Sequence, residues 1–137
     1  MKIENENKKY DKDDSVIYSC QYHVIFCPKY RRKVLVDEVK DRLCEIVYRL
    51  QKEYSYSVLE LNVMPDHVHL LVSVNPKIGI YKVVCRIKGI SSREIRKEFD
   101  SVRKRIPTLW TRSCFISSVG YETIETIKRY IENQTNI

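Results

Sequence analysis

The chain has 137 residues, 43% of them hydrophobic, a size and composition suited to one domain with one core. Lysine and arginine total 25 against 18 acidic residues, and the net charge of +7 favours a polyanionic partner. No apolar run approaches the ~18 residues of a membrane span and the N-terminus has no signal-peptide hydrophobic region, so no membrane partner is expected and the cytoplasm is the default compartment.

Residues 1–14 are charged and polar, with Ile3 the sole aliphatic residue after the start, and are expected to form a flexible N-terminal extension. Residues 15–137 are expected to form a single domain. Its first strand covers about Ser15 to Cys27, where Cys20, Tyr22, Val24 and Phe26 alternate. Asp37 is the expected N-cap of a first helix whose Val39, Leu43, Ile46, Val47 and Leu50 make one apolar face. A second strand runs from about Ser57 to Val63, and Pro65-Asp66 turns the chain into a third, the histidine strand. A second helix is expected from Ile80 to Arg86, ended or interrupted near Gly89 and resumed from Ser91 to Phe99. A fourth strand covers Cys114 to Val119, and a final helix starts near Glu122. The order β-α-β-β-α-β with an added C-terminal helix predicts an α+β, ferredoxin-like (RRM-like) antiparallel sheet with the two helices on one face.

Cys20, Cys27, Cys44, Cys85 and Cys114 are odd in number, widely spaced and without a CxxC pair. They read as small core residues in a reducing compartment, not as a disulfide framework or a structural zinc site. The basic excess is concentrated. Lys29, Arg31, Arg32 and Lys33 fill four of five consecutive positions, and nine basic against three acidic residues lie between Lys82 and Arg105. Either cluster alone describes a solvated face; flanking a candidate metal site, both point to phosphate contact.

That candidate site is Met64-Pro65-Asp66-His67-Val68-His69-Leu70-Leu71-Val72. Residues two apart on a strand share a face, so His67 and His69 project together while Val68, Leu70 and Val72 turn to a core. A bare His-x-His also describes two surface histidines. Asp66 points away along an ideal strand and reads as a turn residue, and His23 reads as an ordinary strand residue. The second constellation is Tyr130-Ile131-Glu132-Asn133-Gln134 on the final helix, beside the apolar stripe Ile124, Ile127 and Ile131. Tyr130 and Gln134 are i and i+4 and present a phenol beside a carboxamide. Taken alone, such a tyrosine is also what a structural aromatic looks like.

Together these motifs resemble the IS200/IS605-type transposases, the single-tyrosine members of the HUH nuclease superfamily. The resemblance extends to Tyr22-His23-Val24-Ile25-Phe26-Cys27-Pro28-Lys29-Tyr30-Arg31-Arg32-Lys33-Val34-Leu35, to Lys88-Gly89-Ile90-Ser91-Ser92-Arg93, and to Trp110 with Ser118-Val119-Gly120. It runs from about Tyr18 to Gln134. It implies a transposase that cuts and rejoins single-stranded DNA at hairpin-marked element ends through a 5′-phosphotyrosine intermediate. Tyr130 would be the nucleophile, and His67, His69 and Gln134 the ligands of a metal. Imidazoles by themselves suit zinc, copper or nickel; the resemblance implies Mg²⁺ or Mn²⁺. It further implies a homodimer, whose active sites can be shared between subunits, and makes Tyr30, Arg31, Arg32, Lys33, Lys88 and Arg93 candidate DNA contacts.

Three other readings compete. A domesticated, repeat-associated HUH nuclease would share the same site. A non-catalytic single-stranded nucleic-acid-binding module of this fold would not need the paired histidines. A metal hydrolase using water would need them but not Tyr130.

Overall fold

The computed structural model describes residues 2–5, 8–119 and 124–134. Among them, strands β1 (Lys2–Asn5), β2 (Lys8–Lys12), β3 (Ile17–Tyr18) and β4 (Gln21–Phe26) precede helix α1 (Asp37–Arg49). Strands β5 (Tyr56–Met64) and β6 (His67–Val74), helices α2 (Ile80–Glu98) and α3 (Asp100–Arg105), strand β7 (Phe115–Ser118) and helix α4 (Ile124–Glu132) complete the order. From β4 onward this is the expected β-α-β-β-α-β succession with a C-terminal helix, α3 being an extra turn after α2.

The antiparallel sheet has the order β5-β6-β4-β7, so the histidine strand lies inside it, hydrogen-bonded on both edges. Its two faces differ sharply. Val24 and Phe26 of β4 and Val68, Leu70, Val72 and Val74 of β6 are at most 1% exposed and share a core with Val39, Leu43, Ile46 and Val47 of α1 and Val83, Val84, Ile87 and Ile95 of α2. Burying side chains of this size stabilises by about 1.5–3 kcal/mol each, and both helices cover this one face. On β5 a bulge between Val58 and Glu60 inserts a residue. It flips the alternation, so that Val58 before it and Leu61 and Val63 after it all turn to the core.

Four sequence expectations change. Residues 1–14, read as a bare extension, carry β1 and β2, which join β3 in a second, three-stranded sheet. That sheet is tied to the end of β6: the Ser73 hydroxyl donates to Asp11 Oδ2, and Asn75 Nδ2 donates to Asp13 Oδ2 at 2.9 Å. The bond from Asn75 leads those that hold the Asp13 carboxyl far below the usual range. The single first strand becomes β3 and β4, since the two halves pair in different sheets. Asp37 is the first helical residue and Val36 precedes it, with no side-chain cap. Gly89 does not interrupt α2, which is continuous from Ile80 to Glu98. One glycine costs a helix about 1 kcal/mol, less than the burial of Val83, Val84, Ile87 and Ile95 returns.

Ser91 and Trp110 show why α2 and the chain before β7 belong together. Trp110 packs edge-on against Phe26, ring centroids 4.7 Å apart, and its Nε1 donates to Ser91 Oγ at 3.0 Å. The Ser91 hydroxyl in turn donates to the Ile87 carbonyl at 2.6 Å, so the indole's polar edge is satisfied inside the core.

Candidate active site

Cross-strand partners in an antiparallel sheet point to the same face. His69 stands opposite Ile25, and Ile25 opposite Phe115, so one rung carries β6, β4 and β7 residues on the face away from the helices. His67 lies on this face too, as does His23, whose partner on β6 is Leu71. All three histidines of the chain therefore share a face. Ile25 is fully buried there although it lies outside the main core.

Each imidazole on β6 has a partner. His67 Nδ1 lies 2.9 Å from Asp66 Oδ1, and the other carboxylate oxygen accepts from Arg31 Nε at 2.8 Å. A carboxylate on Nδ1 fixes the tautomer with a proton there and leaves Nε2 as the lone-pair nitrogen, the usual outer support of a ligating histidine. Burial pushes the Asp66 carboxyl up, but the hydrogen bonds with His67 and Arg31 outweigh it and hold it below the usual range. His69 Nε2 lies 2.9 Å from His23 Nδ1, the rings 5.1 Å apart and tilted by 38°. Asp66 thus proves to be more than a turn residue and His23 more than a strand residue. The signal for Asp66 was its adjacency to His67; His23 could be found only from strand register.

Tyr130 sits on α4, with its ring 5.2 Å from that of Phe115. Because Phe115 and His69 are two strand spacings apart on one rung, the phenol-bearing helix rests on the histidine face at a lateral offset of roughly 10 Å. Tyr130 Oη is buried with no hydrogen-bond partner among the described residues. Burial raises the phenol pKa above its ordinary 10.0, and the nearby Ser113 hydroxyl opposes that in part. Ser113 donates its own proton to Gln134 Oε1 at 3.2 Å. Gln134 is 4% exposed and lies past the last helical residue of α4, in a turn closed by Gln134 N to the Ile131 carbonyl. The helical i, i+4 stacking of Tyr130 and Gln134 is replaced by this turn.

Among the described residues no three His, Cys, Asp or Glu side chains gather closely enough to hold a metal. The side-chain types present, two imidazoles and a carboxamide, are ones that can ligate a divalent cation; His67 is supported by a carboxylate, and His69 on the same face has its Nε2 2.9 Å from His23 Nδ1. Gln134 is oriented toward Ser113 in this structure.

The candidate DNA contacts divide. Tyr30, Arg32, Lys33 and Arg93 are exposed, with Lys29 Nζ over the Tyr30 ring at 5.2 Å. Lys88 instead donates to the Thr111 and Ser113 carbonyls at 2.8 and 3.0 Å, and burial lowers its pKa. Arg31 donates to Asp66 and, through Nη1, to the Ile131 carbonyl at 2.8 Å.

Comparison with known proteins places this geometry in a family. Residues 16–134 match the model of the family described as "Transposase IS200 like". The chain is 38% identical over 120 residues to the ISDra2 transposase TnpA of Deinococcus radiodurans, covering 86% of each. It is 29% identical to the transposase for insertion sequence element IS200 of Salmonella typhimurium, covering 85% of this chain and 78% of that protein. A crystal structure of a Deinococcus radiodurans protein described as a transposase superposes with a TM-score of 0.83 at 35% identity, over 93% of this chain and 99% of that one. A tyrosine transposase bound to a REP hairpin shares the fold, with a TM-score of 0.52 at 12% identity over 95% of this chain and 69% of that one.

Proposed function

The chain belongs to the IS200-like transposase family, and from that membership we propose that it cuts and rejoins single-stranded DNA at the hairpin-marked ends of a mobile element through a 5′-phosphotyrosine link. The observation that carries the reading is the meeting, on one sheet face, of the carboxylate-supported His67, of His69, and of the helix bearing Tyr130.

In this reading His67, His69 and Gln134 would hold Mg²⁺ or Mn²⁺. Such a cation, when bound, neutralises phosphate charge and leaves the scissile phosphorus open to an anionic nucleophile. The chain's own residues do the rest. Asp66 keeps His67 in one tautomer. The Tyr130 oxygen attacks phosphorus, its proton is lost, and the 3′-oxygen of the other fragment leaves as a hydroxyl. One phosphodiester bond is exchanged for another, so an incoming 3′-hydroxyl can reverse the step and rejoin strands without ATP. Water in place of the phenol would end the sequence at cleavage. Burial of Tyr130 Oη requires the phenol to be uncovered before it reacts.

Tyr30, Arg32, Lys33 and Arg93 stand exposed for the phosphate backbone. The working unit in this reading is a homodimer acting on DNA in the cytoplasm; no helix among the described residues is long and apolar enough to cross a membrane.

The test is a covalent-adduct assay. Labelled single-stranded oligonucleotides from the DNA flanking the gene are incubated with Mg²⁺ or Mn²⁺ and resolved on a denaturing protein gel. A slow-migrating adduct that disappears in Tyr130→Phe and His67→Ala is the expected outcome. Cleavage without an adduct that persists in Tyr130→Phe overturns the phosphotyrosine route in favour of water.

A further inference from the structure

We infer that Arg31 is a positioning residue that couples the docking of the tyrosine helix to the orientation of His67. Its guanidinium stands between the two halves of the site. Nε donates to Asp66 Oδ2 at 2.8 Å, and Nη1 donates to the Ile131 carbonyl at 2.8 Å. Asp66 Oδ1 meets His67 Nδ1 at 2.9 Å. One continuous series of hydrogen bonds thus runs from the residue after Tyr130, through Arg31 and Asp66, to a candidate metal ligand.

The backbone is arranged for this. After β4 the chain enters a 3-10 turn, Lys29–Arg31, in which Tyr30 and Arg31 have φ of 58° and 52°. Two consecutive side-chain-bearing residues in the left-handed region are strained and persist only where the surroundings impose them. Here Lys29 N donates to the Leu109 carbonyl at 2.9 Å and Arg31 N to the Pro28 carbonyl at 2.8 Å. Tyr30, Arg32 and Lys33 are exposed, whereas the Arg31 side chain is 23% exposed and turned into the protein.

The chemistry at each end suits a guanidinium. The last carbonyls of a helix carry partial negative charge, so a cation donating to the Ile131 carbonyl, which also accepts from Gln134 N at 3.2 Å, stabilises the end of α4. A planar fork with separate N–H groups can hold two acceptors in fixed directions at once; an ammonium is a point charge and does not reproduce that geometry. Arg31 therefore holds α4 down only while it also holds Asp66, and Asp66 in turn sets the His67 ring.

The inference rests on the proposed metal and tyrosine roles, and the test separates the two. Wild type, Arg31→Lys, Arg31→Ala, Asp66→Ala and the double Arg31→Ala/Asp66→Ala variant are compared as full chains. Three quantities are read: hydrogen exchange of the α4 amides without metal, Mn²⁺ affinity by calorimetry, and the salt dependence of hairpin-oligonucleotide binding. Arg31→Lys and Arg31→Ala are expected alike to speed α4 exchange and to weaken Mn²⁺ binding by about tenfold, the lower end for loss of an outer support. Asp66→Ala does both as well, and the double variant loses no more than the worse single one. The slope of log affinity against log salt stays unchanged. Arg31→Lys behaving as wild type, with Arg31→Ala lowering that slope by about one, makes Arg31 a phosphate contact and overturns the inference. So does faster α4 exchange with Mn²⁺ affinity intact, since the link would then end at the helix. If wild type takes up no Mn²⁺, the metal reading falls, and the α4 exchange of Asp66→Ala still decides: wild-type exchange there refutes the coupling.

Discussion

Removing the proposed nucleophile's oxygen should make the protein more stable. Tyr130 Oη is buried without a hydrogen-bond partner among the described residues, and the Ser113 hydroxyl gives its proton to Gln134. A polar group in that position forfeits its bonds to water and gains none, a cost of about 1–3 kcal/mol. Tyr130→Phe deletes the oxygen and keeps the ring against Phe115. Since the Tyr130 residue as a whole is half-buried, the lower end applies, about 1 kcal/mol of stabilisation. For a domain of this size that corresponds to roughly 4 °C in Tm, or about 0.5 M in the urea midpoint for an m-value near 2 kcal/mol/M. Thermal and urea unfolding of metal-free protein, followed by far-ultraviolet circular dichroism, reads both. An unchanged or lowered midpoint refutes the reasoning, because it would mean that the hydroxyl is satisfied in solution.

The same deletion at Tyr56 should act in the opposite direction: its hydroxyl donates to the Val47 carbonyl inside the core, so Tyr56→Phe should cost about 1 kcal/mol in urea unfolding. Gly89→Ala should stabilise by about 0.5–1 kcal/mol, since the position is helical and an added Cβ meets nothing within 4 Å; a lower midpoint would point to a contact at that surface. Adduct formation should rise with pH from 7 to 9 without a plateau. An uncovered phenol has an ordinary pKa of ~10, and burial raises that of Tyr130 further, so its ionised fraction grows about tenfold per pH unit across this range; a rate flat above pH 8 would show that proton loss from Tyr130 does not limit the step. The sign for stability is the reverse. Tyr56 and Tyr130 are both raised by burial, so the stability tied to their neutral forms is complete below pH ~10 and is lost as pH climbs through the raised values, seen as a falling urea midpoint in alkaline buffer.

Strand periodicity made most of the sheet legible. A period of two is strict, so the single pattern His67-Val68-His69-Leu70 assigns one face to imidazoles and the other to the core, and the structure keeps both assignments. What escaped was set by tertiary partners. Lys88 reads as one charge among many on a basic helix until Thr111 and Ser113, more than twenty residues on, present two carbonyls to it. Arg31 sits among exposed basic neighbours, and only its left-handed backbone turns it inward. Asp66 was judged by ideal strand geometry although it lies in the turn before β6, where its carboxylate reaches back to His67. Gly89 was weighed by local propensity alone, and the apolar stripe on either side of it decides otherwise.

The two halves of the candidate site are held by different means, and that difference has a chemical sense. His67 and His69 are on a strand paired on both edges and backed by a fully buried core, the most rigid place the fold offers. Tyr130 is on a helix outside the sheet, where the contacts among the described residues include a guanidinium at one carbonyl, a serine at one amide and a ring contact. A hydrolase gains from fixing its nucleophile as firmly as its ligands. In the proposed reading, an enzyme that keeps one DNA end on a tyrosine while another 3′-hydroxyl approaches would need its histidines fixed and its tyrosine able to shift. The orphaned hydroxyl pushes in the same direction, because a side chain that leaves its burial recovers the hydrogen bonds it lacks there.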